Sequence, residues 1–408
     1  IKIHSFILVF FILSTACSQS GDFEILLEKG KNEFKKEFDK QNYAQAVEYL
    51  EKAVELQPEN TEARYFLGYA YSRINSKDGS GMIDMNLVWT LKCSEQFEKL
   101  NKLSPKYKGE ILVLDPYSKL TAEWGSLAMN YWHNNKPDSA VWAFKEGKKR
   151  GGFGDFYLEI NKKILDFCPQ NSILISMGDN FTIPLWYLQI AKNYRTDVIV
   201  VDAGLINAPW YPKYLTETGK IEFGIEKSKL DSVQYTPWRD SVVSIETKNG
   251  GNFSWTVKPT YYGKYLLRGD ILLLKLLKEN QFKREVFFTT AFNQNMQLNL
   301  TDHFTSYIVC DKINHEADED LSFKDYKNKA VSVLDCVEYV NKNSILETDF
   351  VDNLRTNIMR RISACLENNK PEEANLLMTL IVQKADPELF PFQFDEARKY
   401  YNYIKSRL

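Results

Sequence analysis

The polar residues of this chain that could do chemistry follow two short apolar runs. Gly178-Asp179-Asn180 and Thr182 come directly after SILISM, and Asp202 ends DVIVVD. If both runs are neighbouring parallel strands, their carboxyl ends meet at one edge of a sheet, where α/β proteins usually hold ligands. A carboxylate pair of Asp179 and Asp202 at that edge could bind a sugar hydroxyl or a cation.

Two hypotheses for this loop stay open. In the first, a helix begins after Gly178 and its first backbone N–H groups bind an anion. In the second, Asn180 or Thr182 caps that helix and Asp179 shapes the turn, which are structural roles. Under the first hypothesis the candidate ligand-binding residues are Gly178, Asp179, Asn180, Thr182 and Asp202. The sequence assigns no catalytic residue.

The short motifs that mark common cofactor sites do not occur at this place. No GxGxxG follows the first apolar run, and the chain contains neither GxxxxGK[ST] nor GxSxG. Dinucleotide, P-loop and α/β-hydrolase chemistry therefore have no support. The histidines and cysteines lack the spacing of a metal site. We therefore expect no cofactor and no metal ion, and a binding protein more than an enzyme.

The segment between the two apolar runs must position these residues. PLWYLQIAKNY (184–194) has the pattern of a helix, and Pro184 is suited to its first turn. GDNFTI (178–183) is then expected to be a loop. A strand, a helix and a second strand in this order predict a βαβ unit in a parallel sheet.

The same domain is expected to continue to residue 313. Asn249-Gly250-Gly251 separates two alternating segments and predicts a β-hairpin. The other predicted elements are a helix over 270–279 and strands over 284–289 and 306–310. We therefore expect residues 151–313 to form a Rossmann-like α/β domain with a mainly parallel sheet.

Residues 25–150 carry the periodic pattern of tetratricopeptide repeats. Three consecutive segments place aromatic, leucine and alanine residues where this repeat packs. Small residues let two helices approach closely, and about three stacked repeats are needed to bury a continuous core. The matching positions are Tyr43, Ala46, Leu50, Ala53, Pro58, Leu67, Gly68, Ala70, Tyr71, Phe97, Trp124, Leu127, Ala128, Tyr131, Ala140 and Phe144.

The chain becomes helical again after an acidic stretch. Residues 314–328 (NHEADEDLSFKDYKN) are polar and predict a solvated linker. RISACLENNKPEEANLLMTLIVQKADP (361–387) resembles one more helix-turn-helix repeat, with Ala374 at the helix crossing and Pro387 as terminator. We expect residues 329–408 to be a helical, repeat-like region. The predicted fold class is therefore an α part joined to an α/β part.

The first residues of the sequence predict an export signal. An apolar run, FILVFFIL (6–13), follows Lys2 and is too short to span a bilayer as a helix. Cys17 comes directly after LSTA, which resembles a bacterial lipobox and implies that Cys17 receives a lipid. We expect a signal peptide over 1–16 and a lipidated tether over 17–24. The alternative is an ordinary secretory signal with a coincidental cysteine.

Composition restricts the class of protein. The chain has 408 residues, of which 44% are hydrophobic and 26% charged, as in folded soluble proteins. A formal net charge of −2 offers no basic excess for binding nucleic acid. Apart from Cys17, the cysteines are widely spaced, which favours buried free thiols, although an exported protein could pair some of them. They are Cys93, Cys168, Cys310, Cys336 and Cys365.

From about residue 165 onwards the chain resembles a known module. The matching strings, in order, are SILISMGDNFTIPLWYLQIAKNYRTDVIVVDAGLINAPWY, YLLRGDILLLKLLKENQFKREVFF and LENNKPEEANLLM. They are similar to the soluble C-terminal module of bacterial membrane proteins related to protein O-mannosyltransferases. The residues that match the motif of the module are Gly178, Asp179, Asn180, Pro184, Trp186 and Gln189.

The resemblance implies an extracytoplasmic module without catalytic machinery. In that family the transferase chemistry belongs to a multi-helix membrane portion. This sequence carries the predicted repeats and the Cys17 signal instead of such a portion, so no catalytic residue carries over.

We therefore expect a non-enzymatic, lipid-anchored protein of the cell envelope, on the periplasmic side of an outer membrane. It would bind an envelope protein or peptide through its repeats and the membrane through Cys17. The alternative is a carbohydrate- or nucleotide-sugar-binding or -processing protein, or an accessory factor in envelope glycosylation. That alternative uses the loop at Gly178-Asp179-Asn180 and makes a glycan the ligand. Nucleic acid is not an expected partner.

Overall fold

The computed structural model describes a mixed α/β protein. The described residues are 21–290, 294–315 and 321–408. The predicted signal peptide and Cys17 lie outside them. The chain divides into two compact units, Ile1–Gly152 and Phe153–Leu408. Within the described ranges, no helix is both long enough and apolar enough to cross a membrane.

The first unit is a series of helices in its described part. A first helix, α1, covers residues 21–35. The next helices are α2 (Tyr43–Leu56), α3 (Thr61–Ser76), α4 (Leu87–Leu103), α5 (Pro116–His133) and α6 (Pro137–Lys149). Each helix packs against the next along the chain, which gives three helix pairs. Most of the predicted packing positions are buried; Tyr43 and Tyr131 are half-buried, and Pro58 is exposed.

Two glycines mark close approaches within these pairs. A Cβ atom on Gly68 of α3 would lie 2.7 Å from the ring of Phe97 on α4. A Cβ atom on Gly30 of α1 would overlap Leu50 of α2. Only a residue without a side chain fits such contacts without displacing a neighbour.

Two tyrosines of α3 hold the segment that joins α4 to α5. The Tyr65 hydroxyl accepts a hydrogen bond from the Leu112 amide (2.9 Å), and the Tyr69 hydroxyl accepts one from the Leu114 amide (2.6 Å). Both hydroxyls donate to the Leu114 carbonyl, at 2.9 and 3.2 Å. The tyrosines are at most 2% exposed. Side chains of α3 therefore supply the hydrogen bonds that a neighbouring strand would otherwise give to the backbone of this segment.

The substitution Tyr69→Phe tests this contact. It leaves the buried Leu114 amide without its partner, so we expect the free energy of unfolding to fall by about 1–3 kcal/mol in urea denaturation. Tyr49→Phe is the matched control, because the Tyr49 hydroxyl accepts its bond (3.1 Å) from exposed Gln45. The control should cost less than about 0.5 kcal/mol. Equal costs for the two variants would contradict the role of Tyr69.

The second unit mixes strands with helices and then continues with helices. The strands in its described residues are β1 (Ile173–Ser176), β2 (Ile199–Asp202), β3 (Thr236–Pro237), β4 (Ser241–Glu246), β5 (Asn252–Val257), β6 (Tyr265–Leu266), β7 (Val286–Thr289), β8 (Phe304–Ser306) and β9 (Cys310–Ile313). The helices are α7 (Asp155–Phe167), α8 (Asp179–Trp186), α9 (Trp210–Glu217), α10 (Arg268–Asn280), α11 (Phe323–Leu334), α12 (Ile345–Glu367), α13 (Pro371–Lys384) and α14 (Asp395–Arg407).

Five strands form one mixed sheet in the order β2-β1-β7-β9-β8. β1 pairs in parallel with β2 and with β7, which confirms the predicted βαβ pairing. β9 pairs antiparallel with β7 and with β8. The antiparallel pairing of β8 with β9 follows from the short connection between them, because a parallel crossover needs a dozen or more residues.

The predicted last strand over 306–310 is wrong. Residues 307–309 form the turn between β8, which ends at Ser306, and β9, which begins at Cys310. The Tyr307 amide donates to the Cys310 carbonyl (2.8 Å). Ile308 has a φ of +76°, and both Ile308 and Val309 are fully buried. A turn made of buried apolar residues has the sequence pattern of a strand, which explains the error.

Two other predicted elements are confirmed. β4 and β5 form an antiparallel hairpin, in whose turn Gly250 has a φ of +78°, a conformation that favours glycine. α10 contains the predicted helix over 270–279. The hairpin and the short β3–β6 pair are separate from the five-stranded sheet.

The helix α8 begins earlier than predicted. The expected loop over 178–183 is helical from Asp179, and Pro184 lies inside the helix instead of in its first turn. The helix continues as a π-helical turn, Tyr187–Ala191. A proline at this place cannot donate a hydrogen bond to the carbonyl four residues before it, which is that of Asn180.

A side chain of α7 replaces the missing donor. The Asn161 side-chain amide donates to the Asn180 carbonyl (2.9 Å) and to the Tyr157 carbonyl (2.8 Å). Asn161 is fully buried. The packing of α7 against α8 therefore lets the helix continue through Pro184, and the local sequence pattern does not contain this information.

A double-mutant cycle tests this compensation. Asn161→Ala leaves the Asn180 carbonyl without that donor, and we expect the free energy of unfolding to fall by about 2 kcal/mol. Pro184→Ala restores a backbone N–H that can reach the same carbonyl. Asn161→Ala should then cost about 1 kcal/mol less in the Pro184→Ala background, measured by urea denaturation. Additive costs would show that the two residues act independently.

The C-terminal helices begin within the predicted linker. The Ser322 side chain accepts a hydrogen bond from the Asp325 amide (3.1 Å) and caps α11. The expectation of a linker over 314–328 is therefore corrected from residue 323 onwards, while residues 316–320 lie outside the described ranges. α12 packs against both α13 and α14.

Candidate functional site at the carboxyl ends of β1 and β2

Two parallel strands end side by side at the predicted site. Ser176 is the last residue of β1 and lies opposite Asp202, the last residue of β2. Gly178 then turns the chain into α8 with a φ of +87°, which a residue with a side chain would adopt only with strain. The structure thus brings the start of α8 and the end of β2 to the same edge of the sheet.

A chain of hydrogen bonds joins β1, α8 and β2 at this edge. The Thr182 hydroxyl donates to Asp202 Oδ2 (2.5 Å). Because a hydroxyl has a single hydrogen, Ser176 Oγ is then the donor to Thr182 Oγ1 (2.8 Å). All three side chains are buried, so the loss of one bond would leave a polar group without water to replace its partner.

Both carboxylate oxygens of Asp202 accept hydrogen bonds from the protein. Oδ1 accepts from the amides of Gly204 (2.8 Å) and Leu205 (2.7 Å), and Oδ2 accepts from Thr182. Burial raises the pKa of Asp202 to about 6 and the negative charge of Asp179 adds to the rise, while these hydrogen bonds oppose it. The arrangement gives Asp202 a structural role at the turn after β2.

The other predicted residues contribute less to a ligand site. Asp179 is partly exposed in the first turn of α8, and its negative charge disfavours an anion at that helix end. Asn180 is buried, and its carbonyl accepts the bond from Asn161. Neither Asn180 nor Thr182 caps α8, whose N-cap is Gly178. Ligand binding by these residues stays a prediction.

A cavity that the sequence does not predict lies at the same end of the sheet. It has a volume of about 230 Å³ and is lined by Ile175 of β1, Val201 of β2 and the start of α10. Asn207, Thr260 and Asp270 are polar residues of its lining. The cavity therefore combines an aliphatic surface with a few polar groups, as small-molecule sites do.

Asp270 is the acidic residue of this cavity. It is 8% exposed, and burial raises its pKa. Its Oδ2 atom accepts hydrogen bonds from the Leu267 amide (2.8 Å) and from the Thr260 hydroxyl. Sequence reasoning missed this residue because Asp270 and Thr260 are far along the chain from β1 and β2. The signal that was present is a carboxylate within the apolar string LLRGDILLL.

The described residues offer neither a candidate metal site nor a reactive thiol. Those residues contain no group of three or more histidine, cysteine, aspartate or glutamate side chains that could hold a metal ion. Their five cysteines are buried and free, as predicted. Burial raises the pKa of Cys168 and of Cys336 to about 12, which disfavours the reactive thiolate.

Part of this region matches a known family. Residues 158–220 match TMEM260-associated domain 2. The TMEM260-associated segment runs from within α7 to beyond α9 and contains β1, α8 and β2. It links the chain to TMEM260, an O-mannosyltransferase-like protein, in agreement with that part of the resemblance expected from the sequence. A search of curated proteins found no match to the chain.

The raised pKa of Asp202 predicts a dependence of stability on pH. The folded state takes up the proton of this carboxyl near pH 6, whereas the unfolded state takes it up near the ordinary value of 3.8. Because the folded state binds the proton more tightly, the contribution of Asp202 to the free energy of unfolding increases as the pH falls from about 6 to about 4. The increase is about 3 kcal/mol at most.

Asp202→Asn removes this titration. In urea denaturation between about pH 7 and pH 4, the wild type should gain stability relative to the variant as the pH falls. Asp197→Asn is the control, because a hydrogen bond from Arg195 holds the pKa of Asp197 at about 2 and its titration lies below this range. A difference between wild type and Asp202→Asn that does not change with pH would show that the Asp202 pKa is not raised.

Proposed function

We propose that this protein is a non-enzymatic scaffold of the cell envelope. A lipid on Cys17 holds it at a membrane, on the periplasmic side of an outer membrane, and its helical first unit binds a partner protein or peptide. The apolar run over 6–13 and the string LSTA before Cys17 support the anchor. Buried acyl chains supply the affinity of such an anchor for the bilayer.

The series of three helix pairs in the first unit carries the proposal. Most of the predicted tetratricopeptide-repeat packing positions are buried, and a Cβ atom on Gly30 or Gly68 would overlap a side chain of the partner helix. Stacks of such repeats form extended concave surfaces that bind other proteins. α1, α3 and α5, the first helix of each pair, would line this surface.

The segment that joins α4 to α5 indicates the position at which a partner would contact the first unit. It contacts α3 through Tyr65 and Tyr69, and Glu110 in it forms an ion pair with Lys31 of α1 (2.9 Å). It therefore runs across the first helices of two pairs. Val113 of this segment is 62% exposed. A partner on the surface of the first helices would lie against Val113.

Site-specific photo-crosslinking tests this proposal. A benzoylphenylalanine residue at position Val113 of the full-length protein should crosslink one partner in native envelopes. The matched control is the same residue at Val242, which is 74% exposed on β4 of the second unit and should not crosslink that partner. Crosslinking of the same partner from both positions, or from neither, would contradict a partner on the helical unit.

A second candidate function is binding or processing of a carbohydrate or nucleotide-linked sugar, or an accessory role in envelope glycosylation. The TMEM260-associated segment favours it, because TMEM260 is O-mannosyltransferase-like. Asp179 and Asp202 would be the acidic groups of this site. The internal hydrogen bonds of Asp202 weigh against a ligand on that carboxylate, so the scaffold is the better supported of the two functions.

A further inference from the structure

The cavity beside Asp270 has the size and surface of a site for a compact ligand. Its volume of about 230 Å³ is below the roughly 300–1,000 Å³ of drug-sized sites. Aliphatic side chains such as Ile175, Val201 and Leu273 form much of its wall. Of the described residues that line it, Asp270 alone is ionisable. The ligand must therefore have an apolar body and suit one carboxylate.

Only one of the two oxygens of the Asp270 carboxylate accepts hydrogen bonds from the described residues. The Leu267 amide and the Thr260 hydroxyl both donate to Oδ2, and no described residue donates a hydrogen bond to Oδ1. The nearby Arg268 guanidinium does not pair with it, since it donates to the Ile206 carbonyl (2.8 Å) and the Leu230 carbonyl (3.1 Å). A carboxylate that is more than nine-tenths buried thus keeps one oxygen for a ligand.

The side-chain amide of Asn207, a residue of the cavity lining, directs its oxygen towards the start of α10. Its Nδ2 atom donates to the carbonyls of Ala203 (3.4 Å) and Gly204 (3.2 Å), and its Oδ1 atom accepts from the Gly269 amide (2.8 Å). These three partners fix the orientation of the amide. A Cβ atom on Gly269 would lie 2.6 Å from Asn207 Nδ2, so a larger residue there would shift the amide.

The polar side chains of the cavity therefore offer acceptors to a ligand. Oδ1 of Asp270 is unoccupied among the described residues, and Oδ1 of Asn207 retains a second lone pair. The Thr260 hydroxyl has used its hydrogen on Asp270, which leaves its lone pair. A matching ligand group carries several donors and no acceptor. An ammonium group has this composition, with three N–H donors and a positive charge.

We propose that this cavity binds a compact aliphatic primary amine. Its ammonium group donates to Asp270 Oδ1, Asn207 Oδ1 and Thr260 Oγ1, and its alkyl chain packs against the aliphatic wall. The positive charge compensates a buried carboxylate that has no cationic partner among the described residues. The ammonium comes from a free alkylamine or from a lysine side chain of a peptide, which present the same chemistry.

This inference goes beyond the scaffold function. The cavity lies in the second unit and uses no residue of the helical unit. A failure of one proposal therefore leaves the other unaffected, and the two experiments use different variants.

Isothermal titration of the full-length protein with three probes of similar size tests the inference. The probes are n-butylamine, n-butanol and butyrate. We expect n-butylamine to bind at least about tenfold more tightly than n-butanol, because a charge-assisted hydrogen bond is stronger than a neutral one. Butyrate should not bind, since its carboxylate meets acceptors only. An amine that binds no more tightly than the alcohol overturns the proposal.

Two variants assign the binding to this cavity. Asp270→Asn removes the charge and keeps an oxygen for the Leu267 amide, so n-butylamine should lose at least about tenfold in affinity. Ala203→Leu places a larger side chain in the cavity, keeps Asp270 unchanged and should abolish binding of every probe. Asp231→Asn is the matched control, since this exposed carboxylate pairs with Lys213 (2.5 Å) away from the lining residues. Wild-type affinity in folded Asp270→Asn or Ala203→Leu protein overturns the proposal.

A fourth probe distinguishes the two sources of the ammonium group. Nα-acetyl-lysine methylamide carries the same aminobutyl chain on a blocked backbone. Binding equal to or tighter than that of n-butylamine identifies a lysine side chain as the ligand. Binding of n-butylamine alone identifies a free amine.

Discussion

The hydrogen-bond chain from Ser176 through Thr182 to Asp202 is the interaction on which one edge of the second unit depends. Thr182 reaches both partners because α8 begins directly after Gly178, and α8 continues through Pro184 because Asn161 supplies a donor from α7. The contact between α7 and α8 therefore supports the contacts that α8 makes with β1 and β2. The residues of this series all lie within the TMEM260-associated segment, so the segment contains its own means of positioning that edge.

Asp202 and Asp270 are two buried carboxylates at the same end of the sheet, and hydrogen bonding separates their roles. Asp202 accepts bonds on both oxygens, so a ligand there would have to displace bonds that hold β2 to α8. Asp270 accepts bonds on one oxygen and lines a cavity with the other available. Burial alone does not distinguish them, since both are less than 9% exposed. The distribution of hydrogen-bond donors from the protein does distinguish them, because a carboxylate whose two oxygens already accept hydrogen bonds gains little from a ligand.

The sequence predicts those features of this fold that depend on local periodicity. The strands before Gly178 and up to Asp202, their parallel pairing and the hairpin around Gly250 all follow from short patterns. The start of α8 does not, because its donor for the Asn180 carbonyl comes from another helix. The turn at Ile308 is buried and so has the pattern of a strand. The Asp270 cavity needs contacts between segments nearly a hundred residues apart, which no single pattern contains.

The contact of Tyr65 and Tyr69 with the segment after α4 has a consequence for how this region can change in evolution. Both tyrosines bind backbone atoms of Leu112 and Leu114, so these hydrogen bonds do not depend on which side chains stand at positions 112 and 114. Homologous chains that keep the two tyrosines can therefore vary at positions 112 and 114 and retain these hydrogen bonds. Proline at 112 or 114 is excluded, because it lacks the amide hydrogen that each tyrosine oxygen accepts.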